Sequence, residues 1–246
     1  MSNIITLSET DSTNNVLKRM ALEGAPSGTV VTADCQTAGK GRLGRSFTSP
    51  AGKGIYLSYL MRASASTEQI STITCWAAVA VSNAIKAACG VTPSIKWVND
   101  LQLNGKKISG ILTEMAGDAV IIGIGINVNN DPSDFPEQIR DIASSIRYES
   151  GLTEDIDRGP IITSLVAELD KISSSFPHAH EAYLMRYRSL CSTIGSDVTV
   201  VPTHDTTTPG RPGKAIAIED DFSIRVLFED GHEEALFSGE VSVRRR

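Results

Sequence analysis

Between Cys35 and Thr67 the chain carries five bases, Lys40, Arg42, Arg45, Lys53 and Arg62, and no acid. Three of them are packed among glycines in Gly39-Lys40-Gly41-Arg42-Leu43-Gly44-Arg45. Glycine backbone N–H groups can wrap the oxygens of an anion, and an arginine fork adds a bidentate contact. Such a loop suits phosphate or carboxylate binding; the alternative is a solvated surface loop. Three familiar phosphate motifs fail on context. The G-x-G-x-x-G of a dinucleotide fold opens a helix, whereas here the chain runs on through Arg45-Ser46-Phe47-Thr48-Ser49-Pro50. A protein-kinase loop fails because neither V-A-I-K nor H-R-D follows. Every Gly-Lys pair lacks the leading glycine of a P-loop, with Asp34, Phe47, Asp100 and Thr208 in its place.

A second cluster surrounds Asn104-Gly105, the strongest hairpin signal in the chain. A two-residue turn there, between SIKWVNDLQL and KKISGILTEM, predicts Leu103 opposite Lys106, Gln102 opposite Lys107 and Asp100 opposite Ser109. Strict alternation puts Lys96, Asp100 and Gln102 on one face with Lys107, Ser109 and Ile111. Leu101, Leu103, Ile108 and Leu112 take the other face. A lysine across from a carboxylate is commonly a surface pair. Two lysines, an acid and Gly110, whose missing side chain admits a ligand, suit an anion site equally well. This stretch alone leaves both readings open.

Other candidates carry less. His178 and His180 are two residues apart, and a shared helical metal face needs i, i+4. No C-x-x-C pair occurs among Cys35, Cys75, Cys89 and Cys191, so no metal site is expected and the cysteines read as reduced thiols. Trp97 reads as core or pocket wall. Arg244-Arg245-Arg246 reads as a solvated tail, too short for a nucleic-acid arm.

The elements that must position these residues follow from pattern. A short helix is predicted over Thr13 to Glu23, capped by Asp11 or Ser12. Strands are predicted over Gly28–Ala33, Ile55–Met61 and Ala119–Val128. Gly39 to Gly54 is loop. Ser66 and Gln69 fit a capping box that opens a helix running to Cys89 and stopped by Gly90. Pro160 to Cys191 is helical, interrupted at Pro177. After Gly195 the chain turns to short β-rich runs with turn signals at Pro209-Gly210, Pro212-Gly213 and Asp230-Gly231. A boundary near 192 therefore separates residues 1–192 from a small β-barrel over 193–246.

The 246 residues carry 23 Lys and Arg against 29 Asp and Glu, a net charge of −6. That excludes a chiefly electrostatic nucleic-acid binder. Hydrophobic residues at 41% exclude a disordered chain. The longest apolar run, Ala119 to Val128, is too short for a bilayer helix, and no signal peptide is visible.

Five motifs in order resemble those of the biotin–protein ligases, from about Thr10 to Arg245. They are Asp11-Ser12-Thr13-Asn14, Gln36-Thr37-Ala38-Gly39-Lys40-Gly41-Arg42-Leu43-Gly44-Arg45 with Ser49-Pro50 and Gly52, and Lys96-Trp97-Val98-Asn99-Asp100. Lys107…Gly110-Ile111-Leu112…Glu114 and Gly123-Ile124-Gly125-Ile126-Asn127-Val128 complete the set. Three positions depart from the family pattern: Lys40 replaces an arginine and loses its planar fork, Val98 replaces a proline, and Phe47 stands where tryptophan is common.

The resemblance implies an α+β fold, a mixed β-sheet with packed helices and a small C-terminal SH3-like barrel. It implies ATP-dependent activation of biotin as biotinyl-5′-AMP, with Mg²⁺, and transfer to a lysine of a biotin carboxyl carrier protein or a carboxylase's biotinyl domain. Lys107, Arg42 and Asp100 are implied as catalytic. Ser12, Thr13, Asn14, Gln36, Gly39, Lys40, Gly41 and Gly110 are implied for biotin. Arg45, Lys96, Trp97 and Asn127 are implied for the nucleotide, with Asn127 serving its metal as well. Because the first motif begins at residue 11, the ligase-only type without a DNA-binding domain is expected, cytoplasmic, with no DNA or membrane partner; a homodimer is left open. The rivals are a lipoate–protein ligase, using the same adenylation logic, and a catalytically silent vitamin- or nucleotide-binding module.

Overall fold

The computed structural model describes residues 2–203, 209–237 and 241–245, the last stretch by backbone alone. Strand β1 (Asn3–Thr10) precedes the first predicted element. Helix α1 (Thr13–Leu22) follows, then β2 (Thr29–Gln36) and β3 (Gly54–Arg62). Ser12 takes the N-cap position of α1, but its hydroxyl makes no capping bond. Asp11 instead accepts from the Ser12 N–H at 2.7 Å and from the Asn15 side chain at 2.6 Å.

The Ser66–Gln69 capping box is present. The helix it opens is two segments, α2 (Thr67–Ser71) and α3 (Ile73–Cys89), joined at Thr72 and ended by Gly90 at φ +75°. By length and apolarity the stretch Thr67–Cys89 could cross a bilayer, yet most of it is buried within the protein. Helix α3 packs on α5 (Arg158–Ser175) and α6 (His180–Leu190), which flank Pro177; α4 (Ile146–Glu149) is one short turn. Trp76 of α3 stacks on Tyr183 at 4.1 Å between centroids and meets Phe176 edge-on.

The segment from Ser94 to Leu103 is two strands, β4 (Ser94–Lys96) and β5 (Asp100–Leu103), which pair antiparallel with Lys96 opposite Asp100. Lys96 and Asp100 are therefore cross-strand neighbours, and residues 97–99 form the turn. The Asn104-Gly105 turn leads into β6 (Lys106–Ala116), and β7 (Ala119–Asn127) follows. These build a seven-stranded sheet in the order β1-β2-β3-β7-β6-β5-β4, parallel only between β1 and β2.

The hairpin register departs from strict alternation. Leu103 faces Lys106 and Gln102 faces Lys107, but Leu101 faces Ser109 and Asp100 faces Gly110. Ile108 is one residue more than the partner strand holds, a β-bulge. Beyond it every side chain changes face. Ile111 joins the core where the cavity face was expected, Leu112 lines the cavity where the core was expected, and Ser109 bonds back to the Gly125 carbonyl.

Leu190 ends α6, and β8 (Asp197–Pro202) begins a second sheet with β9 (Arg211–Ile218), β10 (Ile224–Phe228), β11 (Glu233–Leu236) and β12 (Val241–Arg245). All five strands are antiparallel, in the order β11-β10-β9-β8-β12, the small C-terminal β domain expected. Pro212-Gly213 is no turn but lies inside β9, where Pro212 stands opposite Thr199 of β8 and pairing with β10 stops at Gly213. Arg244 and Arg245 belong to β12 and are not a tail, while Arg246 lies outside the described residues.

One apolar cluster runs from the first sheet through α3, α5 and α6 into Val226 and Phe228 of the second. The joint between the sheets is also polar. The Trp97 indole N–H donates to the Phe222 carbonyl at 2.9 Å, and the Trp97 backbone N–H donates to Thr193 Oγ1 at 2.9 Å. Replacing Trp97 by Phe leaves the buried Phe222 carbonyl unpaired. The expected cost is about 1–3 kcal/mol, read as a lower urea midpoint with an unchanged m-value.

Candidate active site

Helix α1 and the Gly39–Gly54 segment lie on the sheet face opposite α3, and between them opens a cavity of about 290 Å³. Its lining includes Ser12, Thr13 and Asn14 at the start of α1, Gln36 at the end of β2, and Lys40, Gly41, Arg42 and Arg45 of the loop. Lys96, Trp97 and Asp100 come from the β4–β5 turn, Lys107 and Gly110 from β6, and Asn127 from the end of β7. Every residue implied for the site therefore meets in one cavity except Gly39. A Cβ on Gly39 would strike the Phe47 carbonyl and lie 2.7 Å from Ser49 Oγ. The loop's own closure, with Phe47 N–H bonded to the Gly39 carbonyl at 2.9 Å, accounts for that glycine.

The lining holds five bases, Lys40, Arg42, Arg45, Lys96 and Lys107, against a single carboxylate, Asp100. Lys107 Nζ sits 2.6 Å from Asp100 Oδ1. The backbone of Lys107 is held from outside the sheet: its N–H donates to the Ile142 carbonyl at 2.7 Å and its carbonyl accepts from Ser144 N–H at 2.8 Å. Arg42 reaches across from the loop, and its Nη1 donates to Asn99 Oδ1 at 3.1 Å. Burial lowers the Arg42 pKa, and the nearby Asp100 carboxylate opposes that shift. Asn99 is fixed in turn by its Nδ2 on the Ile111 carbonyl at 2.8 Å and by Ile111 N–H on its own carbonyl at 3.1 Å.

The three departures from the family pattern each have a place. The Val98 carbonyl accepts from the Tyr187 hydroxyl at 3.1 Å, so packing against α6 restrains the turn where proline would. Lys40 Nζ donates to Asn15 Oδ1 at 2.6 Å. The Phe47 ring lies over Gly125, where a Cβ would come within 2.5 Å of it.

Sequence reasoning missed Phe47 as a wall, Asn99 as the anchor of Arg42, and the apolar side formed by Phe135, Ile139 and Ile142. It quoted Gly123 and Gly125 without a role. Two glycines two apart in a strand share a face, and here that face carries side chains from elsewhere. Gly123 makes room for the Asn14 amide and Gly125 for Phe47. Asn127 donates from Nδ2 to the Ser144 carbonyl at 2.9 Å, which leaves its Oδ1 as the acceptor.

Residues 7–129 match the biotin/lipoate A/B protein ligase family. The chain belongs to that family. Among members of the family, it is 37% identical to the bifunctional ligase/repressor BirA of Bacillus spizizenii over 89% of this chain and 68% of the relative. It is 33% identical to the biotin–[acetyl-CoA-carboxylase] ligase of Mycobacterium tuberculosis over 79% of this chain and 73% of that protein. The solved biotin protein ligase of Aquifex aeolicus in complex with biotin and ATP superposes with a TM-score of 0.85 at 30% identity, covering 100% of both chains. A Bacillus subtilis relative is matched over only 65% of its length, so this chain spans about two thirds of the bifunctional proteins.

Phe47 offers a direct test of how the family's glycine pair shapes this cavity. Gly125→Ala forces the ring off the sheet and should destabilise the protein by about 1–3 kcal/mol, as overpacking does. Adding Phe47→Ala should recover most of that loss. Thermal unfolding of the two single variants and the double variant measures the non-additivity.

Proposed function

We propose that the chain is an ATP-dependent biotin–protein ligase, activating biotin as biotinyl-5′-AMP and transferring it to a lysine of a biotin carboxyl carrier domain. The observation that carries this reading is the meeting of Lys107, Asp100 and Arg42 in one cavity of a biotin/lipoate ligase fold. Activation brings two anions together, the biotin carboxylate and the α-phosphate. A carboxylate oxygen attacks phosphorus, and the bond from phosphorus to the pyrophosphate oxygen breaks. The barrier is largely electrostatic, so fixed cations aimed at the crowded oxygens lower it. Lys107 and Arg42 flank that position, and Asp100 orients the Lys107 ammonium. In the second step a carrier lysine attacks the mixed anhydride and AMP leaves. Ser12, Thr13, Gln36, Lys40, Gly41 and Gly110 make up the biotin end, and Arg45, Lys96, Trp97 and Asn127 the nucleotide end.

A divalent ion fits this site only as a companion of ATP. Among the described residues no group of three His, Cys, Asp or Glu side chains could hold a metal. Mg²⁺ typically takes one or two protein oxygens plus substrate phosphates and waters, and the Asn127 Oδ1 is such an oxygen. When bound, Mg²⁺ would neutralise phosphate charge. The free thiols Cys35, Cys75, Cys89 and Cys191 support a reducing compartment such as the cytoplasm. The second sheet, over about 193–246, is assigned as a separate small domain packed behind the Trp97 turn.

Pyrophosphate exchange with biotin, with lipoate and with no acid tests this reading against its rivals. Exchange should require biotin, and Lys107→Ala should reduce it by at least about 10–150-fold, the worth of one charge-assisted hydrogen bond. Exchange at the wild-type rate in that variant would remove Lys107 from the reaction.

The loop over 39–54 should close on the adenylate, since its bases repel one another until an anion gathers them. Arg42→Gly, which removes the fork on Asn99, should release adenylate faster than wild type. A stopped-flow dissociation rate checks this, and limited proteolysis within 39–54 should be suppressed by a non-hydrolysable adenylate analogue.

A further inference from the structure

Tyr187 is a buried titratable group that lies outside the cavity lining. It stands on α6 with its ring edge-on to Phe222, at 5.3 Å between centroids. Its hydroxyl donates to the Val98 carbonyl at 3.1 Å, and the Cys75 thiol of α3 lies beside it. Burial raises both groups well above their ordinary pKa values, so both keep their protons. A carbonyl only accepts, so the single hydroxyl proton is committed to Val98.

Val98 is the exception in its turn. Lys96, Trp97, Asn99 and Asp100 all line the cavity, whereas Val98 packs into the core. Its neighbours have anchors of their own, Trp97 through Thr193 and Phe222, and Asn99 through Ile111. The peptide between Val98 and Asn99 has its carbonyl held by Tyr187. A buried carbonyl without a donor is costly, so on losing Tyr187 it would turn toward any other donor within reach. Turning that peptide swings Asn99, which anchors Arg42, and then Asp100, which meets Lys107. The family pattern has proline at this position, and its ring locks φ. Valine does not lock it.

We propose that Tyr187 is a positioning residue for the adenylation step: its hydroxyl holds the turn that aims Arg42 and Lys107, the restraint that proline supplies in the family pattern. The inference rests on the biotin ligase reading and adds to it a residue outside the cavity and outside all five motifs. Fixed cations lower a barrier only when they are aimed at the place where charge develops. A loosened turn therefore slows the chemical step. The groups proposed for biotin stand mainly on α1, β2 and the 39–54 loop, so binding of that acid is left alone.

Tyr187→Phe removes the donor and keeps the ring against Phe222. In biotin-dependent pyrophosphate exchange its kcat should fall about tenfold, the worth of one hydrogen bond, with the KM for biotin within about twofold of wild type. A role confined to stability would lower the unfolding midpoint and leave kcat per folded molecule unchanged. Val98→Pro alone should fold and keep the wild-type kcat. With proline at 98, adding Tyr187→Phe should cost less than about threefold in kcat, because the two restraints act on one turn. That pair of variants carries the test even if Tyr187→Phe by itself does not fold. A wild-type kcat in Tyr187→Phe overturns the proposal, as does a loss confined to the KM for biotin. So does a kcat about tenfold down in Val98→Pro, or an equal cost of Tyr187→Phe with valine and with proline at 98. Wild-type exchange that does not need biotin would instead overturn the ligase reading itself.

Discussion

The site depends on one extra residue in one strand. Lys107 and Gly110 are three apart in β6, and in a regular strand they would face opposite ways. The bulge at Ile108 turns both toward the cavity and sends Ser109 and Ile111 into the core. The ammonium at 107 thus comes to stand over a position without a side chain, against the carboxylate of Asp100. The bulge is held on both sides. Core packing of Ile108 and Leu101 fixes it from below, and the 142–144 segment clamps the Lys107 backbone from outside.

Around that point the structure concentrates like charge. Five bases against one carboxylate in a cavity repel one another, and burial further disfavours the Arg42 cation. Each is tolerated because a polar partner meets it or because water reaches it. The same arrangement makes anion binding favourable, since low-dielectric walls strengthen the field inside a cleft. Apolar surface is supplied by Phe47, Phe135, Ile139 and Ile142, so the cavity lining is oily as well as charged.

Much of this was legible in the sequence because its signals are local. The capping box at Ser66, the stop at Gly90, the turn at Asn104-Gly105 and the basic loop each depend on a few adjacent residues. The cavity-lining motif residues were named from the resemblance of five ordered motifs to those of the biotin–protein ligases. What stayed hidden is what depends on distant partners. Nothing within Lys106–Ala116 announces the bulge, which is set by the core beneath Ile108. β4 and β5 read as one strand because the turn at 97–99 is fixed by Thr193, Tyr187 and Phe222. The role of Gly123 and Gly125 depends on Asn14 and Phe47, each far away in sequence.

The joint at Trp97 has a consequence for how the protein is made. Every residue lining the cavity lies between Ser12 and Ala143 and is synthesised early. The turn that carries Asn99 and Asp100 nevertheless lacks its last hydrogen-bond partner until Phe222 has been added. At ordinary synthesis rates those roughly 80 further residues take about 4–16 s. During that interval the nascent chain holds all the charges of the site without the frame that aims them. Maturation of the active centre is thereby tied to emergence of the second sheet from the ribosome.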